Sequence, residues 1–258
     1  MAYIKKRNKK IFAMFLLPAM LVLFLTTIYP MLYAGYLSFR SYDLAKLFVP
    51  RVFVGLANYR EILGSGDFIH ALAVTFKLMA LTLSVQLVLG VGIALLVTQR
   101  LPGMALARTL LLIPMMISPV IVGLVWLFLY FPELGYLNYF LGWLGLGPVP
   151  WISSTDWAIW AVAIADIWQW TPFCALIFLA GLSMVPGEIE EAARLETSSK
   201  WALLKHVQLP YLMPGLTALL ILRSADVLKL FDMVFVMTRG GPGSATDLVS
   251  IYIQRVGF

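Results

Sequence analysis

Five long, mostly apolar runs constrain what this chain can fold into. A helix that crosses a bilayer needs about 20 predominantly apolar residues, and each run reaches that length. Because the bilayer offers no water to backbone N–H and C=O groups, such runs fold as helices. Charged residues make up only 12% of the chain, against roughly 25% in soluble domains, which excludes a soluble globular protein. We therefore predict an all-α, polytopic helical membrane protein with spans at Ile11–Leu37, Ala71–Val97, Ala107–Phe131, Trp157–Leu182 and Tyr211–Val236.

Lys and Arg are distributed unevenly among the segments between these runs. Cytoplasmic loops of membrane proteins carry an excess of Lys and Arg. Here basic residues are concentrated in the first ten residues and in the loop over 98–108, whereas the loop over 132–156 has none. The pattern predicts a cytoplasmic N-terminus. The expected organisation is a basic cytoplasmic tail (1–10) and a single transmembrane domain (11–258), with an external segment over 38–70 and a cytoplasmic loop over 183–210.

A short charged segment, residues 186–210, interrupts the apolar pattern in the second half of the chain. It contains four acidic and three basic residues between Glu188 and Lys205. Its glutamates are concentrated in the first turns of a predicted helix, where carboxylates favour the positive end of the helix dipole. Thr197, Ser198 and Ser199 are N-cap residue types that can end one helix and begin another. We interpret the segment as two short helices that form a docking surface; the alternative is a solvated loop.

The spacing within the charged segment resembles the EAA loop in the permease subunits of binding-protein-dependent ABC importers. Glu191-Ala192-Ala193 and Leu209-Pro210 fall on the family's spacing, with Leu204 and Val207 at its intermediate apolar positions. Further stretches resemble the sugar-type members in the same order along the chain. These are "FLLPAMLVLFLTTIYPMLYAGYLSF", "VGLANYREIL", "WQWTPFCALIFLAGLSMVPGEIEEAA" and "FDMVFVMTRGGPGSATDLVSIYI".

This resemblance implies a transport subunit of the prokaryotic cytoplasmic membrane, working with ABC ATPase subunits, a second permease subunit and an external solute-binding protein. The implied solute is carbohydrate-like: an oligosaccharide, a polyol or a glycerol phosphate. The chain has no Gly-Lys pair and hence no phosphate-binding P-loop, so we expect it not to be an enzyme and to bind no cofactor, with ATP and Mg on the partner. The residues implied to contact the ATPase are Glu191, Ala192, Ala193, Glu196, Thr197, Leu204, Val207, Leu209 and Pro210.

Two features depart from the family pattern. The family's Asp-Gly-Ala is Glu196-Thr197-Ser198 here. If the Gly position needs a positive φ, Thr197 costs about 1–2 kcal/mol there; either Thr197 turns the chain by capping, or the loop is strained. The family also has a sixth span, so we expect the native product to continue past residue 258.

Ionisable side chains within the spans are candidates for the solute pathway, because such groups usually face a cavity or a partner. Asp166 lies near Trp168 and Trp170 in the fourth run, and Arg223 and Asp226 share one face of the fifth. Carboxylates and indole rings together suit a sugar. In the alternative interpretation, Arg223 and Asp226 neutralise each other across helices and the tryptophans form an interfacial belt. Lys77, near the start of the second run, is expected to extend its amino group to the interface.

Other classes of function are less well supported by the residues. An ion-gradient-driven secondary transporter would not need this loop spacing. An intramembrane protease needs two carboxylates that share a proton in the bilayer, whereas Asp43 and Asp67 both fall in the predicted external segment; a Ser183–His206 pair is equally weak.

Two histidines and one cysteine predict no metal cluster, and a net charge of +6 that is mostly in the N-terminal tail predicts contact with a membrane surface rather than with nucleic acid.

Overall fold

The computed structural model describes residues 2–41, 52–99 and 102–257, with the backbone alone for residues 2–12. Asp43 and Arg100 lie outside the described residues. The described part of the chain is helical and contains no β-strand, although an isolated antiparallel bridge joins Arg40 and Phe53. The helices are α1 (Ala2–Leu23), α2 (Tyr29–Ser38), α3 (Ala57–Gly64), α4 (Gly66–Val97), α5 (Met104–Met116), α6 (Pro119–Leu129), α7 (Tyr136–Trp143), α8 (Thr155–Ser183), α9 (Gly187–Glu196), α10 (Lys200–Leu203), α11 (Leu209–Leu228), α12 (Asp232–Met237) and α13 (Val249–Gly257).

Four helical segments are long and apolar enough to cross a membrane, and the pair α5–α6 adds a fifth if it counts as one span. Each predicted span has a counterpart among them, which confirms the all-α membrane fold. The four are Ala13–Ser38, Gly66–Val97, Thr155–Ser183 and Lys200–Leu228.

The third predicted span, Ala107–Phe131, is wrong as a single straight helix. Helix α5 ends at Met116, α6 begins at Pro119, and the two are bent by 96°. Ser118 has φ −58° and ψ 138°, because the ring of a proline disfavours helical backbone in the residue before it. Pro119 itself suits the first position of α6, where its missing N–H leaves no bond unmade.

The second half of the charged segment is continuous with the fifth span, and not a separate short helix as predicted. A π-helical turn, Leu204–Gln208, links α10 to α11. Leu209 N–H bonds to the Leu204 carbonyl across this wide turn. Pro210 follows at once, and the wide turn accommodates a ring that would clash with the carbonyl four residues earlier. The same arrangement precedes Pro30, where a π-helical turn spans Phe24–Ile28.

The fifth span also ends earlier than predicted. Helix α11 stops at Leu228 rather than Val236, and Asp232–Met237 forms the separate helix α12. Met233 and Val234 of α12 are buried in the larger of two apolar clusters, together with Tyr130 and Val162. The smaller cluster joins α4, α8 and α11 around Ala94, Phe178, Leu212 and Leu219.

The chain divides into two compact units, one up to Gly66 and one from Asp67 onward. In the first unit, α3 confirms the short helix predicted around Asn58–Leu63. The Asn58 side-chain amide donates to the carbonyls of Ser38 (2.8 Å) and Arg40 (2.9 Å), which ties α3 to the end of α2. The clusters described above belong to the second unit.

Close helix packing in the second unit depends on glycine at two positions. A Cβ at Gly90 of α4 would lie 2.8 Å from the Cys174 Cβ of α8. A Cβ at Gly123 of α6 would lie 3.1 Å from the Met233 carbonyl oxygen of α12. A larger residue at Gly90 would therefore force the helices apart, whereas one at Gly123 would require a shift of a few tenths of an ångström.

Candidate functional site

Helix α9 begins the charged segment and is stabilised by local interactions. Pro186, in extended conformation, precedes it, and Glu188 and Glu190 occupy its first turn. Arg194 forms an ion pair with Glu190 one turn away, at 2.7 Å. Because that pair is exposed, it contributes only a few tenths of a kcal/mol. The helix is therefore a preformed but weakly anchored surface element.

Thr197 turns the chain by capping, and the strained alternative is wrong. Its φ is −142° and its ψ is 137°, which is extended backbone that any residue adopts. The Ser199 backbone N–H donates to Thr197 Oγ1 at 3.1 Å, and Ser199 Oγ in turn accepts from the Ala202 N–H at 3.3 Å. The departure from the family's glycine thus leaves no backbone strain at this position.

The residues predicted to contact an ATPase fall into an exposed set and a half-buried set. Leu204 packs against the smaller apolar cluster, so it also anchors the charged segment to the spans. The exposed residues are Glu191, Ala192, Glu196, Leu209 and Pro210; the half-buried ones are Ala193, Thr197, Leu204 and Val207.

Two large apolar side chains stand out of the charged segment. Leu195 is 90% exposed and Trp201 is 70% exposed. Large exposed apolar groups beside polar residues are typical of interaction surfaces. The sequence analysis does not include Leu195 among the residues of this surface. Its position between the charged residues Arg194 and Glu196 could have indicated it, because a solvated loop gains nothing from an exposed leucine.

A buried charge network joins α4, α8 and α11. Arg223 Nη2 donates to both carboxylate oxygens of Asp166, at 2.8 and 3.1 Å. The Gln86 side-chain amide donates to Asp166 Oδ2 at 2.8 Å, and Gln86 Oε1 accepts from Arg223 Nε at 3.3 Å. Asp166 and Arg223 are 1% and 2% exposed. The sequence analysis does not identify Gln86 as a site residue. A side-chain amide in the middle of an apolar run could have indicated it, because polar groups inside a membrane need partners.

The network continues toward the surface along α11. Asp226 lies 3.6 Å from Arg223 Nη1 and 3.0 Å from Lys229 Nζ. The Arg223–Asp226 pair is thus formed within one helix and not across helices, and the cross-helix partner of Arg223 is Asp166. Trp170 lies 4.7 Å beneath the Arg223 guanidinium.

The five solute-pathway candidates consequently differ in accessibility within this chain. Asp166 and Arg223 are enclosed, Trp170 and Asp226 are half-buried, and Trp168 is exposed, with its ring edge on Trp126 at 5.9 Å. No three His, Cys, Asp or Glu side chains within the described ranges are arranged to hold a metal ion.

Residues 86–256 match the family described as the inner membrane component of binding-protein-dependent transport systems. A probable ABC transporter permease of Sinorhizobium fredii is 36% identical over 95% of this chain and 79% of its own length. The trehalose/maltose transport system permease MalF of Thermococcus litoralis is 35% identical, over 96% of this chain and 83% of its own length. The trehalose transport system permease SugA of Mycobacterium tuberculosis is 34% identical, over 95% and 77%.

A solved bacterial ABC transporter involved in alginate import shares the fold. One of its chains superposes with a TM-score of 0.82 at 24% identity, covering 98% of this chain and 85% of its own length. Family membership removes the basis for an intramembrane protease and for a secondary transporter. This chain belongs to the family of inner membrane components of binding-protein-dependent transport systems, and it is the permease subunit of an ABC importer.

Proposed function

We propose that this permease moves a carbohydrate-like solute and that a separate ATPase drives it through the charged segment. The observation that carries the proposal is the continuity of that segment with the fifth span. Lys200–Leu228 is one helical unit of 29 residues, or roughly 43 Å at 1.5 Å per residue. A displacement of residues 200–210 would therefore move the whole span as a rigid body, and α9 is joined to that unit through the capping bonds of Thr197 and Ser199.

The exposed faces of α9 and α10 would be the contact with the ATPase. Ala192 permits close backbone approach, Leu195 and Trp201 offer apolar anchors, and Glu191 offers a charge for a basic residue of the partner. Leu204 and Val207 would transmit the displacement, because they lie on the π-helical turn that joins the segment to α11. ATP and Mg would be held entirely by the partner.

The solute class is supported by the relatives and by the chemistry of the accessible pathway residues. The named relatives include permeases for trehalose and maltose. Trp168 and Trp170 could stack on the C–H faces of a sugar, and Asp226 could accept from its hydroxyls. Asp166 and Arg223 would hold these residues in place by fixing α8 against α11.

A second permease would complete the pathway. An external solute-binding protein would deliver the solute on the side opposite α9.

The proposed orientation places the N-terminus and α9 in the cytoplasm. Single cysteines at Asn8, Ser154 and Ser199, in a Cys174→Ser background, should react with an impermeant thiol reagent from outside only at Ser154. External labelling at Ser199 would contradict both the orientation and the role of the charged segment.

Ala192→Trp tests the coupling proposal. Ala192 is exposed, whereas Ala193 is half-buried, so an indole at 192 obstructs a partner without disturbing its own chain. In the reconstituted importer we expect loss of solute-stimulated ATP hydrolysis with normal membrane insertion. Gln99→Trp, in a different exposed loop on the same predicted side, is the matched control and should retain stimulation. Wild-type stimulation in correctly inserted Ala192→Trp would contradict the proposal.

A further inference from the structure

Lys77 is an exposed cation in an apolar helix, and none of the described residues forms an ion pair with it. It lies on α4, roughly 16 Å along the helix from Gly66 and about 30 Å from Val97. Because 30 Å is about the thickness of the hydrocarbon core, Lys77 sits near the predicted external boundary. Among the described residues, no ion pair or hydrogen bond involves its ammonium group, although such groups in membrane proteins usually pair or face a water-filled cavity.

A cavity of about 260 Å³ opens beside Lys77. His70, Val74 and Lys77 line it from α4, on one stripe of that helix. Thr155 and Ile159 line it from α8, and Gly243 and Ala245 line it from the loop that follows α12. None of the described residues that line it is acidic. The cavity thus combines basic groups and a hydroxyl with an apolar wall formed by Val74 and Ile159.

The loop fixes the orientation of the His70 ring. His70 Nε2 lies 3.1 Å from the Ser244 carbonyl oxygen. Ser244 Oγ lies 3.3 Å from the same nitrogen, so Nε2 contacts the loop whichever ring nitrogen carries the proton. Ser244 itself has a φ of 72° and follows Gly243 with a φ of 52°; this paired left-handed turn presents the carbonyl to the ring. His70 is thus an exposed side chain that its contacts with Ser244 place at the cavity wall.

We propose that this cavity binds the anionic group of a sugar-sized solute as it enters from outside. Lys77 neutralises a carboxylate, sulfate ester or phosphate ester. His70 and Thr155 hydrogen-bond the solute's hydroxyls, and its C–H face lies on Val74 and Ile159. This inference rests on the proposed function, since it narrows the solute from carbohydrate-like to anionic carbohydrate.

Protection of Lys77 from acetylation tests the site directly. The complete importer in nanodiscs is treated briefly with a water-soluble acetylating reagent, and modification of each lysine is read by peptide mass spectrometry. The probes are glucuronate, glucose 6-phosphate and glucose 6-sulfate, each compared with glucose in sodium chloride of equal ionic strength. We expect at least one of the anions to slow modification of Lys77 several-fold, and glucose not to. Lys200, exposed in the charged segment, is the internal control and should be unaffected by any probe.

Variants of the cavity wall distinguish a specific anion-binding site from a lysine that is merely reactive at the surface. His70→Phe and Thr155→Val should each raise the anion concentration for half-protection about fivefold, since each removes a hydrogen bond to a hydroxyl of the solute. Equal protection by glucose, or none by any of the three anions, would overturn the inference. Ala192→Trp should leave protection of Lys77 unchanged, because the cavity requires no ATPase. Wild-type ATPase stimulation in Ala192→Trp would contradict the coupling proposal alone, whereas absence of anion protection in the wild-type importer would contradict this inference alone.

Discussion

The buried pair between Asp166 and Arg223 should be a strong determinant of stability. Asp166→Leu leaves a buried guanidinium whose remaining carboxylate neighbour, Asp226, is 3.6 Å away. Arg223→Met leaves a buried carboxylate with Gln86 as its side-chain partner. Removing one partner of a buried pair destabilises a protein by about 3–5 kcal/mol, so we expect each single variant to lose that much free energy of unfolding.

The double variant should be more stable than either single one. Replacement of a whole buried ion pair by apolar residues is often close to neutral. Here Gln86 would keep its bond to the Asp166 backbone carbonyl at 3.1 Å, but its Oε1 would lose Arg223. One unsatisfied buried acceptor costs about 1–3 kcal/mol. The double variant should thus lie about 1–3 kcal/mol below wild type, which implies an interaction energy of at least about 3 kcal/mol between the two sites.

Reversible unfolding in mixed micelles, followed by tryptophan fluorescence, measures these differences. Lys229→Met is the matched control, because Lys229 follows α11 directly and pairs with Asp226 while itself exposed; it should change stability by less than about 1 kcal/mol. Additive single effects, or an Asp166→Leu variant as stable as the control, would contradict the conclusion that the Asp166–Arg223 pair holds α8 against α11.

Two further outcomes follow from the backbone. Thr197→Gly should destabilise the charged segment by about 0.5–1 kcal/mol. The backbone at residue 197 is extended and does not need glycine, and the substitution removes the hydrogen bond to Ser199. Limited proteolysis of the segment should therefore become faster, and slower cleavage would contradict the capping role. Gly90→Ala should lower the unfolding midpoint clearly, since the added Cβ would meet Cys174. In Gly92→Ala the added Cβ meets nothing, so this variant should be neutral or stabilising by up to about 1 kcal/mol. Equal midpoints for the two variants would contradict the close approach of α4 and α8.

The sequence predicts the features of this protein that are local. Span positions follow from run length and hydropathy, which need no knowledge of neighbouring helices. The Glu191-Ala192-Ala193 spacing identifies the family because its residues lie close together in the chain. The helices of the structure confirm the first inference, apart from the break at Ser118 and the earlier end of the fifth span, and the family matches confirm the second.

Features that depend on packing or on the conformation of one residue could not be predicted in this way. Hydropathy is averaged over a window of residues, so it does not reveal the break between α5 and α6 at Ser118, although the sequence contains Pro119, which causes it. The i, i+3 spacing suggests Asp226 as the partner of Arg223, but the shorter contact is to Asp166 on another helix. Whether Thr197 is strained depends on its φ, which residue type alone does not determine.

Solute uptake into proteoliposomes tests the central claim most directly. The complete importer is reconstituted, and uptake is measured with ATP on the side of the charged segment and no ion gradient, then with an imposed gradient and no ATP. We predict uptake only with ATP, and its loss in Ala192→Trp with retention in Gln99→Trp. Uptake driven by an ion gradient without ATP, or undiminished ATP-dependent uptake by Ala192→Trp, would contradict the claim that an ATPase moves this permease through residues 186–210.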